Sequence, residues 1–135
     1  MFVLDTSLTA AWFFPDEVTE YTDRMLRRLR ETSALVPIIW PLEVANTLLV
    51  GERRQRLTEA QTARLVQFLQ ELPIRVAEGV SLPAMVSLLA LGRQHALSVY
   101  DASYLALAMR EGLPLATRDD RLRAAAESAG VPLAE

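Results

Sequence analysis

The 135-residue sequence contains no cysteine, no lysine and a single histidine, and all 14 of its basic residues are arginine. The absence of cysteine excludes disulfide bonds, thiolate nucleophiles, zinc–thiolate clusters and iron–sulfur sites. The absence of lysine excludes a Walker A phosphate-binding loop, a Schiff-base enzyme and a Ser–Lys pair. The single histidine leaves no histidine-rich zinc site, and no Gly-x-Ser-x-Gly nucleophile elbow is present. Any catalytic chemistry must therefore come from carboxylates, hydroxyls, arginine, or metal ions held by carboxylates.

The rest of the composition is that of one soluble globular domain, which we assign to residues 1–135. Hydrophobic residues make up 51% of the chain and charged residues 23%, which excludes a disordered chain. No uncharged apolar run is long enough to cross a membrane, and no signal peptide is recognisable, so we expect a cytoplasmic protein. The net charge of −3 argues, at first sight, against a nucleic-acid ligand.

Short apolar segments alternate with helical patterns along the chain. The segments predicted to be strands are Phe2–Leu4, Leu35–Pro37, Ile74–Val76, Pro114–Ala116 and Pro132–Leu133. Between them lie amphipathic stripes, one of which is formed by Leu82, Met85, Val86 and Leu89, while residues 102–109 are apolar on every side and predict a buried helix. This alternation predicts a three-layer α/β/α domain with a mostly parallel sheet.

Four carboxylates occupy comparable positions at the ends of predicted strands or the starts of predicted helices: Asp5, Glu43, Asp101 and Asp119. In a parallel sheet these positions share one edge, where ligands bind. Each acid alone is also explained as a helix cap or a favourable charge in a first helical turn. Together they point to a metal site, because no lysine is present to pair with them and several carboxylates in one cleft repel unless a cation joins them. Mg²⁺ and Mn²⁺ are the cations that carboxylate ligands suit.

The chain resembles the PIN-domain ribonucleases, and specifically the toxin component of VapBC-type toxin–antitoxin pairs. The motifs that carry the resemblance span the chain, and they are Val3-Leu4-Asp5-Thr6-Ser7, Pro41-Leu42-Glu43-Val44-Ala45-Asn46-Thr47-Leu48, Leu97-Ser98-Val99-Tyr100-Asp101-Ala102-Ser103-Tyr104-Leu105-Ala106-Leu107-Ala108 and Pro114-Leu115-Ala116-Thr117-Arg118-Asp119. The resemblance implies a five-stranded parallel sheet of order 3-2-1-4-5 and Mg²⁺- or Mn²⁺-dependent cleavage of RNA. It also implies a homodimer that a cognate antitoxin protein inhibits.

Hydrolysis of a phosphodiester needs an activated water and neutralisation of phosphoryl charge, which one or two metal ions supply. We assign Asp5, Asp101 and Asp119 as metal ligands, and Glu43 as either a fourth ligand or the group that deprotonates the water. The neighbouring polar residues predicted to orient these carboxylates or metal-bound waters are Ser7, Asn46 and Thr117. The adjacent Asp120 is interpreted as a capping acid at the third position of the last helix.

Arg53, Arg54 and Arg56 follow the Glu43 helix and are candidates for contact with RNA phosphates or an acidic antitoxin segment, or for a solvated helix end. Two other functions stay open: a PIN-type nuclease of RNA processing without an antitoxin, and a PIN module that binds RNA or a partner without cutting. The net charge excludes neither, because the chain outside the four candidate acids carries 13 acidic residues against 14 arginines.

Overall fold

The computed structural model describes residues 1–135. Its strands are β1 (Phe2–Leu4), β2 (Ala34–Val36), β3 (Ile74–Val76) and β4 (Leu115–Ala116). Its helices are α1 (Thr6–Ala11), α2 (Glu20–Arg28), α3 (Trp40–Arg53), α4 (Glu59–Glu71), α5 (Leu82–His95), α6 (Val99–Glu111) and α7 (Asp120–Ser128), with a 3₁₀ turn at Pro15–Glu17. No helix combines the length and the apolar character needed to cross a membrane.

The sheet is parallel throughout and has the strand order β3-β2-β1-β4. Every residue of β1, β2 and β4 is buried. Since successive side chains of a strand point to opposite faces, helices must cover both sides of the sheet. The contacts between helices fall into two groups, α1 to α4 and α5 to α7, with α6 packed against β1 and β4. This is the α/β architecture that the alternation of elements predicts.

The predicted fifth strand is reduced to one bridge. Leu133 pairs in parallel with Leu115 at the outer side of β4, which is the place that the order 3-2-1-4-5 gives to a fifth strand. Two ladder hydrogen bonds form there, from Leu115 N–H to the Pro132 carbonyl (2.9 Å) and from Ala134 N–H to the Leu115 carbonyl (2.8 Å). Pro132 has no N–H of its own to donate, so the ladder does not extend into a regular strand.

Local sequence signals account for several helix ends. Thr58 and Gln61 form the predicted capping box at the start of α4, and Ser81 caps α5. Helix α7 ends in a Schellman motif, in which Gly130 has a φ of 75° and Val131 N–H donates to the Ala126 carbonyl at 2.8 Å.

The predicted stripe on α5 does not face the core. Leu82 is 80% exposed and Val86 70% exposed, and Met85 and Leu89 are also exposed, whereas Leu88 is buried. Helix α5 is apolar on most of its circumference, so hydrophobic spacing alone does not specify which side packs against the domain. The result is an apolar surface on α5 that no element of the chain covers.

Candidate active site

The four predicted acids lie at the carboxyl-terminal edge of the sheet or at the helix starts that follow it. Asp5 joins β1 to α1, Glu43 is in the first turn of α3, Asp101 is in the first turn of α6, and Asp119 joins β4 to α7. The order β3-β2-β1-β4 places the change of winding direction between β1 and β4, so this edge is the switch point of the sheet.

Asp5 is the most buried of the four acids, with 4% of its surface exposed. Its Oδ2 accepts hydrogen bonds from the hydroxyls of Ser7 (2.6 Å) and Thr117 (2.7 Å). Ser7 Oγ in turn accepts from the Arg118 N–H (3.1 Å), and Thr117 Oγ1 accepts from the Asp119 N–H (3.0 Å). These bonds fix one oxygen of Asp5 to the loop after β4 and leave Oδ1 without a hydrogen-bond partner in the chain.

The acids influence one another electrostatically. Burial raises the pKa of Asp5, the hydrogen bonds from Ser7 and Thr117 oppose that change, and the charge of Glu43 adds to it. Partial burial and the charges of Asp5 and Asp119 raise the pKa of Asp101. The repulsion therefore links all four carboxylates.

Glu43 is held by two hydroxyls, from Thr6 and Tyr104, which are absent from the predicted site residues. Tyr104 donates to Oε1 at 2.5 Å, and Thr6 donates to the same oxygen at 3.2 Å. The two hydroxyl oxygens are themselves 2.7 Å apart. Burial and the bond to Glu43 raise the pKa of Tyr104 far above its ordinary value, so the phenol stays a protonated donor. The signal in the sequence is a tyrosine inside an otherwise apolar helix, since a buried tyrosine hydroxyl needs a partner.

Asp101 and Asp119 both take part in capping a helix at its start. The Ser98 side chain caps α6 by accepting from the Asp101 N–H at 3.0 Å. The side chain of Asp119 caps α7 by accepting from the Leu122 N–H at 3.0 Å through Oδ1. The interpretation of Asp120 as the capping acid is wrong, because Asp120 is the first residue of α7 and is exposed. Asp119 therefore has one carboxylate oxygen engaged by its own helix.

The predicted role of Asn46 is not supported by its contacts. It is exposed on α3 and makes no hydrogen bond to any of the four acids, and Thr47, the residue one full turn after Glu43, bonds to the Glu43 carbonyl instead (2.9 Å). Ser7 and Thr117, in contrast, both contact Asp5. A spacing of three residues puts Asn46 on the same side of α3 as Glu43, but its exposed side chain makes no hydrogen bond to that carboxylate.

The three arginines at and beyond the end of α3 differ in their surroundings. Arg56 is engaged within the chain, at 2.6 Å from Asp16 and 3.7 Å from Glu17, with its guanidinium 4.0 Å from the centre of the Phe14 ring. Arg53 and Arg54 are exposed and form no ion pair. Of the predicted RNA or antitoxin contacts, Arg53 and Arg54 are the two that are free to bind a ligand.

The donor chemistry of the site suits a hard divalent cation. All four ion pairs of the chain lie elsewhere, so none of the four acids is neutralised by an arginine. Asp5 Oδ1 and Glu43 Oε2 make no hydrogen bond in the chain. Neither atom is among the fully buried polar atoms that lack a partner. No three acid or histidine side chains already stand close enough to enclose an ion, so the acids must move closer together to share one.

Comparisons with known proteins agree with this geometry. The profile of the PIN domain family matches residues 2–128. The chain is 32% identical over 120 residues to Ribonuclease VapC3 of Pyrobaculum aerophilum, an alignment that covers 89% of this chain and 90% of that protein. The crystal structure of PAE2754 from Pyrobaculum aerophilum matches with a TM-score of 0.71 and 22% identity, covering 92% of this chain and 78% of that one. The chain belongs to the PIN domain family.

Proposed function

We propose that this protein is a Mg²⁺- or Mn²⁺-dependent endoribonuclease and the toxin of a type II toxin–antitoxin pair. The observation that carries the proposal is a group of four carboxylates at the switch-point edge of the sheet, none of them paired with an arginine. Charge repulsion connects Asp5 with Glu43 and Asp101 with Asp5 and Asp119. A relative that aligns over most of both chains is named a ribonuclease, which gives this acidic site its substrate class.

The residues that would hold the cation are Asp5, Glu43, Asp101 and Asp119. A bound divalent ion lowers the pKa of a coordinated water and neutralises charge on the phosphoryl oxygens of RNA. Ser7 and Thr117 hold Oδ2 of Asp5, so Oδ1 is its free donor oxygen. Glu43 keeps Oε2 free, either as a further ligand or to accept the proton of the attacking water.

The comparisons also support a proposal for the partners. The name of the VapC3 relative supports a cognate antitoxin for this chain, and the exposed Arg53 and Arg54 are candidates for contact with it or with RNA phosphates. We further propose a homodimer, for which the uncovered apolar surface on α5 is the candidate interface. The activity belongs in the cytoplasm, where the RNA is.

The experiment compares RNA cleavage by the wild type with Asp101→Asn, and uses Asp120→Asn as the matched control. Both changes remove one acid near a helix start, but Asp101 is repelled by Asp5 and Asp119, whereas Asp120 is an exposed residue that we do not assign to the site. We expect Mn²⁺-dependent cleavage to be lost in Asp101→Asn and kept in Asp120→Asn, with both variants folded by circular dichroism. Equal cleavage by Asp101→Asn and the wild type would remove Asp101 from the site.

The same assay separates the rival functions. A chain that binds RNA but never cuts it, with or without Mn²⁺, is the non-cleaving module. A chain that cuts RNA but has no antitoxin encoded beside it and no inhibitory partner is a processing nuclease. Inhibition of cleavage by the product of a small adjacent gene supports the toxin.

A further inference from the structure

Tyr104 has a side chain whose hydroxyl is not needed for packing. The residue is completely buried, in the helix α6 that contacts β1 and β4, among neighbours such as Ala102 and Leu105 that are also completely buried. Phenylalanine would fill the same volume without the cost of burying a hydroxyl. The hydroxyl is placed where it meets Glu43 and Thr6, and it makes no other hydrogen bond.

The protons of this group can be assigned from its acceptors. The carboxylate oxygen Glu43 Oε1 can only accept, so the phenol of Tyr104 donates its single proton to it at 2.5 Å. The 2.7 Å contact between Thr6 and Tyr104 is then a bond that Thr6 donates, or Thr6 donates directly to Oε1 at 3.2 Å. In both arrangements Oε1 of Glu43 is the final acceptor of the group, either from both hydroxyls directly or from Thr6 through Tyr104.

We infer that Tyr104, supported by Thr6, is a positioning residue that holds Oε1 of Glu43 and leaves Oε2 as the one oxygen that this carboxylate offers at the site. The inference rests on the proposed function of Glu43 and adds its geometry. A carboxylate held in this way keeps Oε2 free of hydrogen bonds, so this oxygen can bind a cation or accept a proton from water.

Asp5, at the end of β1, is held in a similar way, through one of its two carboxylate oxygens. Two hydroxyls, from Ser7 and Thr117, occupy its Oδ2 and leave Oδ1 free. Thr6 and Ser7 are adjacent in the chain, so the first turn of α1 sends one hydroxyl to each of the two acids. The start of α1 therefore orients both Asp5 and Glu43.

The test compares Tyr104→Phe with Tyr21→Phe. The control removes a hydroxyl of the same kind, which donates to the Ala134 carbonyl at 2.9 Å and contacts none of the four acids. Removal of a partner that orients a metal-binding or catalytic group typically lowers activity or metal affinity about 10–100-fold. We expect Tyr104→Phe to lower kcat by about this factor, and Tyr21→Phe to leave kcat within about twofold of the wild type.

A double variant shows whether Tyr104 acts through Glu43. In the Glu43→Gln background the further change Tyr104→Phe should lower neither kcat nor Mn²⁺ affinity, which is measured by calorimetry independently of activity. Thr6→Ser should retain activity and Thr6→Val should lower it. If Tyr104→Phe cleaves RNA like Tyr21→Phe, or if the losses multiply in the double variant, the positioning role is wrong. If Glu43→Gln itself cleaves like the wild type, the proposed role of Glu43 fails instead.

Discussion

Thr117→Val removes a hydroxyl that connects the buried acid Asp5 to the loop after β4. Thr117 is completely buried, and valine has nearly its shape, so the change deletes hydrogen bonds with little change in packing. The lost bonds are the donation to Asp5 Oδ2 at 2.7 Å and the acceptance from the Asp119 N–H at 3.0 Å.

The cost in stability follows from the loss of these two hydrogen bonds of Thr117. A hydrogen bond to a charged group contributes about 1.5–3 kcal/mol, and a buried N–H that loses its acceptor costs about 1–3 kcal/mol. Because Asp5 keeps Ser7 and the Asp119 N–H is in a partly exposed residue, we expect a loss of about 2–4 kcal/mol in the free energy of unfolding at pH 8. A domain with a stability of about 5–15 kcal/mol survives this loss.

The loss in the free energy of unfolding of Thr117→Val should also depend on pH. The hydroxyl bond opposes the rise in the pKa of Asp5, so its removal raises that pKa further in the folded state and leaves the unfolded state unchanged. Thr117→Val is therefore most destabilised at a pH above the pKa of Asp5 in both folded proteins, where Asp5 is ionised in the wild type and in the variant. The difference shrinks as the pH falls through these pKa values towards the ordinary aspartate value of about 3.9.

Urea unfolding followed by tryptophan fluorescence measures these free energies. The control is Thr9→Val, in an equally buried threonine whose hydroxyl donates to the Asp5 carbonyl and accepts from Trp40 Nε1, both at 3.2 Å. Both variants should be less stable, but only Thr117→Val should also lose RNA cleavage and show the pH dependence. A Thr117→Val protein with wild-type stability and wild-type cleavage would refute this description of Asp5.

Three further outcomes are expected. Without metal at pH 8, Asp5→Asn should melt at a higher temperature than the wild type, because the raised pKa of Asp5 shows that its charge is unfavourable in the fold. This gain in melting temperature should vanish near pH 4. Added Mn²⁺ should stabilise the wild type more than the variant. Arg54→Ala should weaken RNA binding and reduce its salt dependence at unchanged melting temperature, whereas Arg56→Ala should lower the melting temperature because it loses Asp16 and the Phe14 ring. Val86→Glu should convert a dimer to a monomer in light scattering and leave the melting temperature of the monomer unchanged, since Val86 is 70% exposed.

Much of the fold is predictable because local patterns and tertiary packing agree. β1 and β3 were predicted with the bounds that the structure gives, and β2 is shifted by one residue. The exposed side of α5 was not predictable, because that helix is apolar on most of its circumference and only packing against α6 decides which residues are buried.

The candidate site also has residues that the sequence predicts and residues that only tertiary packing brings together. The acids follow strand ends or begin helices, and a parallel sheet brings such positions to one edge, so their shared edge is predictable from the order of elements. The hydroxyls of Ser7 and Thr117 are predictable because each lies two residues from an acid in the chain. Tyr104 is 61 residues from Glu43, so only the packing of α6 near α3 brings its hydroxyl to that carboxylate.

We propose that Asp5, Glu43, Asp101 and Asp119 form one cation site. The most direct measurement is calorimetric titration of Mn²⁺ into the metal-free wild type and into the Asp5→Asn/Asp101→Asn double variant at pH 8. We expect saturable binding to the wild type and none to the double variant, with both proteins folded. Equal Mn²⁺ affinity in the two proteins would contradict it.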